Sequence, residues 1–229
     1  MHITNKLIWV FLFVGCVLLM SFLKDSKAKS KKVIFFGDSI TQAGAQPGGY
    51  ISLMKSMLAQ QGVTDYDLIG AGIGGNKVYD LYLRMPEDVL AQSPDIVVIW
   101  VGVNDVWHKS SYGTGTDADK FEKFYRAIIK QLQAHNIKVM LVTPATIGEK
   151  NDYSNQQDGD LNKYSQIIRN IAKDADLPVC DLRALFHAYE VNNNTANADK
   201  GILTADGVHL NDNGNKFVAE EMWKVLKSL

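Results

Sequence analysis

The chain has 229 residues and a formal charge of −1 at pH 7, with 46% hydrophobic and 21% charged residues. That length suits one α/β domain once any targeting segment is removed, and it is ample for a sizeable core. The near-neutral balance excludes the basic footprint of a nucleic-acid binder or of a protein drawn to an anionic membrane surface, and Cys16 and Cys180 are too few for a disulfide framework.

The chain opens on a targeting segment. His2 and Lys6 precede an apolar run from Leu7 to Leu23, followed by Lys24-Asp25-Ser26-Lys27-Ala28. Ser26 and Ala28 are small residues two apart, which predicts a signal peptide over residues 1–28, cleaved after Ala28, and a mature domain over 29–229. Two other readings stay open. The run is long for a signal and short for a span, so it can persist as an anchor. Phe13-Val14-Gly15-Cys16 also has the look of a weak lipobox, although cleavage there would leave the apolar Val17-Leu18-Leu19-Met20 behind Cys16. Each reading implies export to a periplasmic or extracellular space. Membrane contact is expected only through an uncleaved N-terminal anchor or a lipid modification.

Val33-Ile34-Phe35-Phe36 reads as a buried strand running into Gly37-Asp38-Ser39, a sharp turn with a serine on it. Tyr50, Leu53, Met54, Met57 and Leu58 recur at helical spacing, ended by Gln60-Gln61-Gly62. Tyr66-Asp67-Leu68-Ile69 is a short strand entering a glycine-rich turn, Gly70 to Asn76, followed by a helical stretch through Leu90. Ile96-Val97-Val98-Ile99-Trp100-Val101 is the most apolar strand, expected to be central and covered on both faces. It ends in Gly102-Val103-Asn104-Asp105, and Lys109 to Asp119 reads as a polar loop. Phe121, Phe124, Tyr125, Ile128, Ile129 and Leu132 form one helical stripe. Val139-Met140-Leu141-Val142 is a fourth strand, and a polar loop from Glu149 to Asp160 precedes a helix marked by Leu161, Tyr164, Ile168, Ile171 and Ala172. Pro178-Val179-Cys180-Asp181 is a fifth strand, in which Cys180 reads as a buried small hydrophobe. A third polar loop, Asn192 to Gly201, leads to a closing helix marked by Phe217, Val218, Met222, Val225 and Leu226.

Strands alternating with helices imply parallel strands joined by right-handed crossovers. The expected fold is α/β: a three-layer αβα sandwich around a five-stranded parallel, flavodoxin-like sheet. In that topology the turns after Phe36, Ile69 and Val101 lie along one edge of the sheet, where ligands bind. A serine on such a turn can act as a nucleophile if a base and an oxyanion site join it. His209, in Asp206-Gly207-Val208-His209, suits the base, because a carboxylate three residues earlier can accept from Nδ1 and leave Nε2 for the serine proton. Alone this motif reads as a loop histidine paired with its neighbour. The backbone N–H of Ser39, the backbone N–H of Gly75 and the side-chain amide of Asn104 are candidate oxyanion donors, whose bland reading is ordinary turn residues.

Gly37-Asp38-Ser39-Ile40, Gly72-Ile73-Gly74-Gly75-Asn76, Gly102-Val103-Asn104-Asp105 and Asp206-Gly207-Val208-His209-Leu210 together resemble the four blocks of the SGNH (GDSL-type) hydrolases, in that family's order and over nearly the whole mature chain. The resemblance implies Ser39 as nucleophile, Asp206 and His209 completing the triad, and Ser39, Gly75 and Asn104 as the oxyanion hole. Among Gly72, Gly74 and Gly75, the last is chosen because it ends the turn. Ile40 stands where the family name has Leu, a volume-conserving change. Asp38 reads as structural.

Competing readings are weaker. Gly70-Ala71-Gly72-Ile73-Gly74-Gly75 matches a dinucleotide fingerprint, but the acid at the right distance, Asp95, precedes its strand and lies at the wrong end of the sheet. The G-x-S-x-G elbow of α/β-hydrolases is absent around Ser39. No metal-ligand spacing occurs and no cofactor is required for acyl-enzyme hydrolysis. The expected substrate is a small-molecule or glycan ester, with a short-chain, acetyl-type acyl group on carbohydrate. Trp107 and His108, with Tyr112 and Tyr153, offer aromatic faces to a sugar, against a reading as loop packing. The alternatives are a lysophospholipase or thioesterase of the same family, or a non-catalytic glycan-binding domain.

Overall fold

The computed structural model describes residues 30–229; the leader readings, Cys16 included, fall outside the described residues. From Lys31 to Leu229 the chain forms one compact unit. In chain order it runs β1 (Lys31–Gly37), α1 (Ser39–Gly44), α2 (Tyr50–Gln60), β2 (Tyr66–Gly72), α3 (Val78–Asp88), a single 3₁₀ turn (Leu90–Gln92), β3 (Ile96–Trp100), α4 (Val103–Tyr112), α5 (Ala118–Ala134), β4 (Lys138–Val142), α6 (Asp158–Asp174), β5 (Val179–Cys180), α7 (Leu182–Asn193) and α8 (Asp212–Leu226).

The five strands are parallel throughout and ordered β2-β1-β3-β4-β5. This is the flavodoxin-like order, with the topological switch between β1 and β3. Both faces of the sheet are covered, which is why the strands read as unbroken apolar runs. Val33, Phe35, Val98, Trp100 and Met140 face a layer made by α1, α2, α7 and α8. Ile34, Phe36, Val97, Ile99 and Leu141 face the opposite layer, from α3, α5 and α6. Each such side chain removed from water contributes about 1.5–3 kcal/mol before chain entropy is counted. The helical stripe read over α5 is buried at Phe121, Tyr125, Ile128, Ile129 and Leu132. Phe124 sits at its margin, edge-on to Tyr82.

Several boundaries differ from the sequence reading. Strand β2 continues through Gly70, Ala71 and Gly72, because Phe35, Phe36 and Gly37 of β1 pair with them in register. The turn proper is therefore Ile73 to Asn76. The stretch after Gly102 is the first turn of a helix, α4, which also takes the start of the expected loop as far as Tyr112. The helix through Leu90 stops at Asp88, two residues after Pro86.

Candidate active site

The carboxyl ends of β2, β1 and β3 are adjacent, so the segments that follow them meet. The first is the turn at Ser39. Asp38 caps α1, its Oδ1 accepting from the Ile40 N–H at 3.0 Å. This places Ser39 at the first helical position, just beyond the end of β1. Asp38 is 2% exposed, and burial, opposed by the Ile40 N–H, pushes its pKa up to about 7.

The second is the loop after β2. Gly72 lies so close to α1 that a Cβ there would fall 2.1 Å from the Gln42 nitrogen and 2.6 Å from the Asp38 carbonyl oxygen. Only glycine lets the two segments touch. Gly75 has φ of +74°, a backbone conformation that costs glycine nothing. The Gly74 N–H is taken by the Gln42 side chain at 2.9 Å. Within the described residues the Gly75 N–H makes no hydrogen bond, which distinguishes it from its neighbour. The Lys77 ammonium, on a residue 7% exposed, donates to the Gly75 carbonyl at 3.2 Å.

The third is the start of α4. Asn104, 2% exposed, donates from Nδ2 to the Asn76 carbonyl at 3.1 Å. An amide nitrogen carries two hydrogens, so one remains for a ligand. Asp105 beside it is fully buried and accepts from the Val78 N–H at 3.2 Å, joining α4 to the start of α3. Burial pushes the Asp105 carboxyl up to about 7 as well.

The fourth segment comes from far along the chain. His209 Nε2 lies 3.0 Å from Ser39 Oγ, and its Nδ1 lies 2.8 Å from Asp206 Oδ2. A carboxylate only accepts, so Nδ1 carries the ring hydrogen and Nε2 is the acceptor facing the serine hydroxyl. Asp206 Oδ1 accepts from the N–H groups of Val208 at 2.9 Å and His209 at 2.8 Å. Burial is the largest single influence on the Asp206 carboxyl and raises its pKa. The hydrogen bonds from the His209 ring and from these two N–H groups together outweigh it and hold the pKa below the usual range.

Of the remaining residues singled out in the sequence, Trp107 meets the His209 ring edge-on at 6.4 Å between centroids. His108 lies beside Gly75, its Cε1 3.8 Å from where a side chain on that glycine would begin. Burial, then the charge of Lys77, lowers the His108 pKa. Tyr112 packs edge-on against His108 at 5.0 Å and is 70% exposed. Tyr153 stacks instead on His187 of α7, at 4.2 Å.

Two residues important to this geometry carried no sequence signal. Glu149, fully buried, accepts from the N–H groups of Ile202 at 2.7 Å, Leu203 at 2.6 Å and Thr204 at 2.7 Å, shaping the segment that leads into Asp206. Arg84 on α3 bonds the carbonyls of Gly37 and Ala71. These bonds go to main-chain groups, which any sequence supplies, so nothing in the residue pattern marks them. Among the described residues, no group of three or more His, Cys, Asp or Glu side chains could hold a metal ion.

A model of the GDSL-like lipase/acylhydrolase family matches residues 35–217. The crystal structure of an acetyl xylan esterase, AlAXEase, superposes with a TM-score of 0.83 at 66% identity, over 84% of this chain and 98% of its own. An acetylxylan esterase of Geobacillus stearothermophilus is 28% identical over 69% of this chain and 78% of its own length. An uncharacterized lipoprotein of Bacillus subtilis (strain 168) is 27% identical over 82% of this chain and 86% of its own. The family match runs from within β1 through β5 and takes in every segment that meets at the sheet edge, and on that basis the chain belongs to the GDSL-like lipase/acylhydrolase family and is a carboxylic ester hydrolase.

Proposed function

We propose that this chain is an exported serine esterase that removes acetyl groups from carbohydrate. The observation that carries the chemistry is the hydrogen-bonded run from Ser39 Oγ through the His209 ring to Asp206. His209 takes the Ser39 proton as Oγ attacks the ester carbonyl. The carbonyl oxygen gains charge and is met by the N–H groups of Ser39 and Gly75 and by the free amide hydrogen of Asn104. His209 then protonates the departing alcohol, the acetyl group stays on Ser39, and a water activated by His209 releases acetate. Asp38 and Asp105 lie beneath this site as buried scaffolding.

The acetyl-carbohydrate assignment is supported by the likeness to an acetyl xylan esterase at 66% identity. Trp107 and His108 flank His209 and Gly75, where a sugar bearing the acetyl group would lie. Export is supported by the leader read in residues 1–28 and by the relative that is a lipoprotein.

Acetate release from acetylated xylooligosaccharides by the purified protein tests the reading, together with a series of acetyl, butyryl and octanoyl esters. The acetyl member should be preferred. A preference for octanoyl would overturn the carbohydrate assignment in favour of a lysophospholipase or thioesterase. Identifying the first residue of the protein recovered outside the cell tests the cleavage after Ala28.

A further inference from the structure

Arg84 projects from α3 with its side chain only 14% exposed, and its guanidinium makes four hydrogen bonds at once. Nε donates to Asn76 Oδ1 at 2.6 Å, Nη2 to the Gly37 carbonyl at 2.7 Å and the Ala71 carbonyl at 3.0 Å, and Nη1 to Asp88 at 2.6 Å. The group lies over the Phe36 ring, 4.4 Å from its centroid. Three of the four bonds go to segments of the site. Gly37 precedes the Asp38-Ser39 turn, and its carbonyl also accepts from the Ile73 N–H at 3.2 Å, across the gap between β1 and the Gly75 loop. Asn76 follows Gly75, and its own carbonyl accepts from Asn104 at 3.1 Å. One cation thus spans the Ser39 turn, the end of β2 and the Gly75 loop, and reaches Asn104 through a single intervening residue.

A planar guanidinium holds its donors at fixed angles, so bonding several acceptors fixes the distances among them. Donors aimed at a developing oxyanion are effective only when already in place. Gly75, on a loop whose shape is not set by helix or strand, needs such an external brace.

We infer that Arg84 is a positioning residue: its fork holds the Gly75–Asn76 loop in register with the Ser39 turn, so that Gly75 and Asn104 are aimed together at the oxygen of the attacked carbonyl. The inference rests on the proposed oxyanion role of Gly75 and Asn104.

Steady-state hydrolysis of 4-nitrophenyl acetate by the full chain tests it. Arg84→Met should lower kcat roughly 100-fold with KM little changed, the order of loss that follows misplacement of catalytic groups. The midpoint of the acid limb of the kcat profile should stay where it is, since the Ser39–His209–Asp206 run is untouched. Arg84→Lys should recover little, because one ammonium cannot reproduce the fork. Asp88→Asn, which removes only the half-exposed carboxylate, should keep kcat within about twofold. A folded Arg84→Met with wild-type kcat, full rescue by lysine, a displaced acid limb, or an equal loss in Asp88→Asn overturns the inference. Asn104→Ala, measured alongside, separates it from the reading beneath. Wild-type kcat in Asn104→Ala removes the oxyanion assignment and this inference with it; impairment there with an unimpaired Arg84→Met removes the inference alone. Should Arg84→Met not fold, Asn76→Ala takes away one prong. A fall in its kcat with KM unchanged then supports the inference, and wild-type kcat overturns it.

Discussion

Ser39 and His209 meet at 3.0 Å, yet the segments that carry them are built by different means. Ser39 follows a strand whose Val33 to Phe36 side chains are all buried and paired on both edges, and its turn is finished by a helix cap. Its position is a product of regular backbone geometry backed by a core. His209 stands in an irregular stretch between α7 and α8, with a ring 39% exposed and an Asp206 partner 51% exposed. That stretch is anchored through one buried carboxylate, Glu149, on three consecutive N–H groups, and through the Gly148 N–H on the Gly207 carbonyl at 2.8 Å. The nucleophile is therefore placed by hydrogen bonds shared among many residues, and the base by a segment whose anchoring is concentrated on one buried carboxylate. Damage at the first segment should cost chemistry and leave the fold intact. Damage at the second should cost stability and chemistry together.

Substitutions can break this contrast, and the largest effect belongs to the serine. Ser39→Ala should lower kcat on the order of 10⁶-fold, with a melting temperature close to that of the parent, since the hydroxyl is part-buried and, among the described residues, bonded to His209 alone. Measurable acetate release at the parent rate would end the serine mechanism. Next comes Asp206→Asn, which keeps an acceptor toward the backbone but no longer fixes the His209 tautomer; kcat should fall about 10⁴-fold. A loss as large as that of Ser39→Ala, accompanied by unfolding, would show that Asp206 serves the loop more than the imidazole.

Glu149→Gln is the sharpest test of the difference between the two segments. The amide can still accept from two of the three N–H groups but turns an NH₂ toward the third. We expect a loss of about 2–3 kcal/mol in unfolding free energy, the scale of one hydrogen bond to a charged group left unmade, and a simultaneous fall in kcat. Denaturant titration and kinetics on the same preparation read both quantities; a stability loss with full activity would mean that the His209 loop keeps its shape without this anchor.

The smallest effect concerns Glu190 on α7, which is 1% exposed with Oε1 lacking a hydrogen-bond partner among the described residues. Burial, then the nearby Glu149, pushes its pKa from 4.5 up to about 7, with Arg183 opposing. The folded chain keeps this proton up to about 7 and the unfolded chain releases it near 4.5, so between these values the folded state binds more protons. Its contribution to stability is therefore complete below pH 4.5 and is lost as pH rises toward 7. Glu190→Gln should flatten the decline of melting temperature across that window. An unchanged slope would show that the side chain finds water or a partner in solution.

Much of this protein is written along its chain. The apolar runs at Val33–Phe36 and Ile96–Val101, the stripe on α5 and the alternation of strands with helices yield a parallel, two-faced sheet, because burial periodicity is a local property. The four short blocks likewise carry the residues that the fold brings to one edge of the sheet. What the sequence left undecided depends on contacts between distant segments. Strand β2 reaches Gly72 only because β1 offers it a partner, against the turn propensity of its own glycines. The N–H of Gly74 is occupied and that of Gly75 is not because Gln42, far away in sequence, reaches the first and not the second. Arg84 and Glu149 matter because they bind carbonyls and N–H groups of other segments. Main-chain partners are the same in every sequence, so such bonds leave no pattern in the residues, and tertiary structure alone decides where they form.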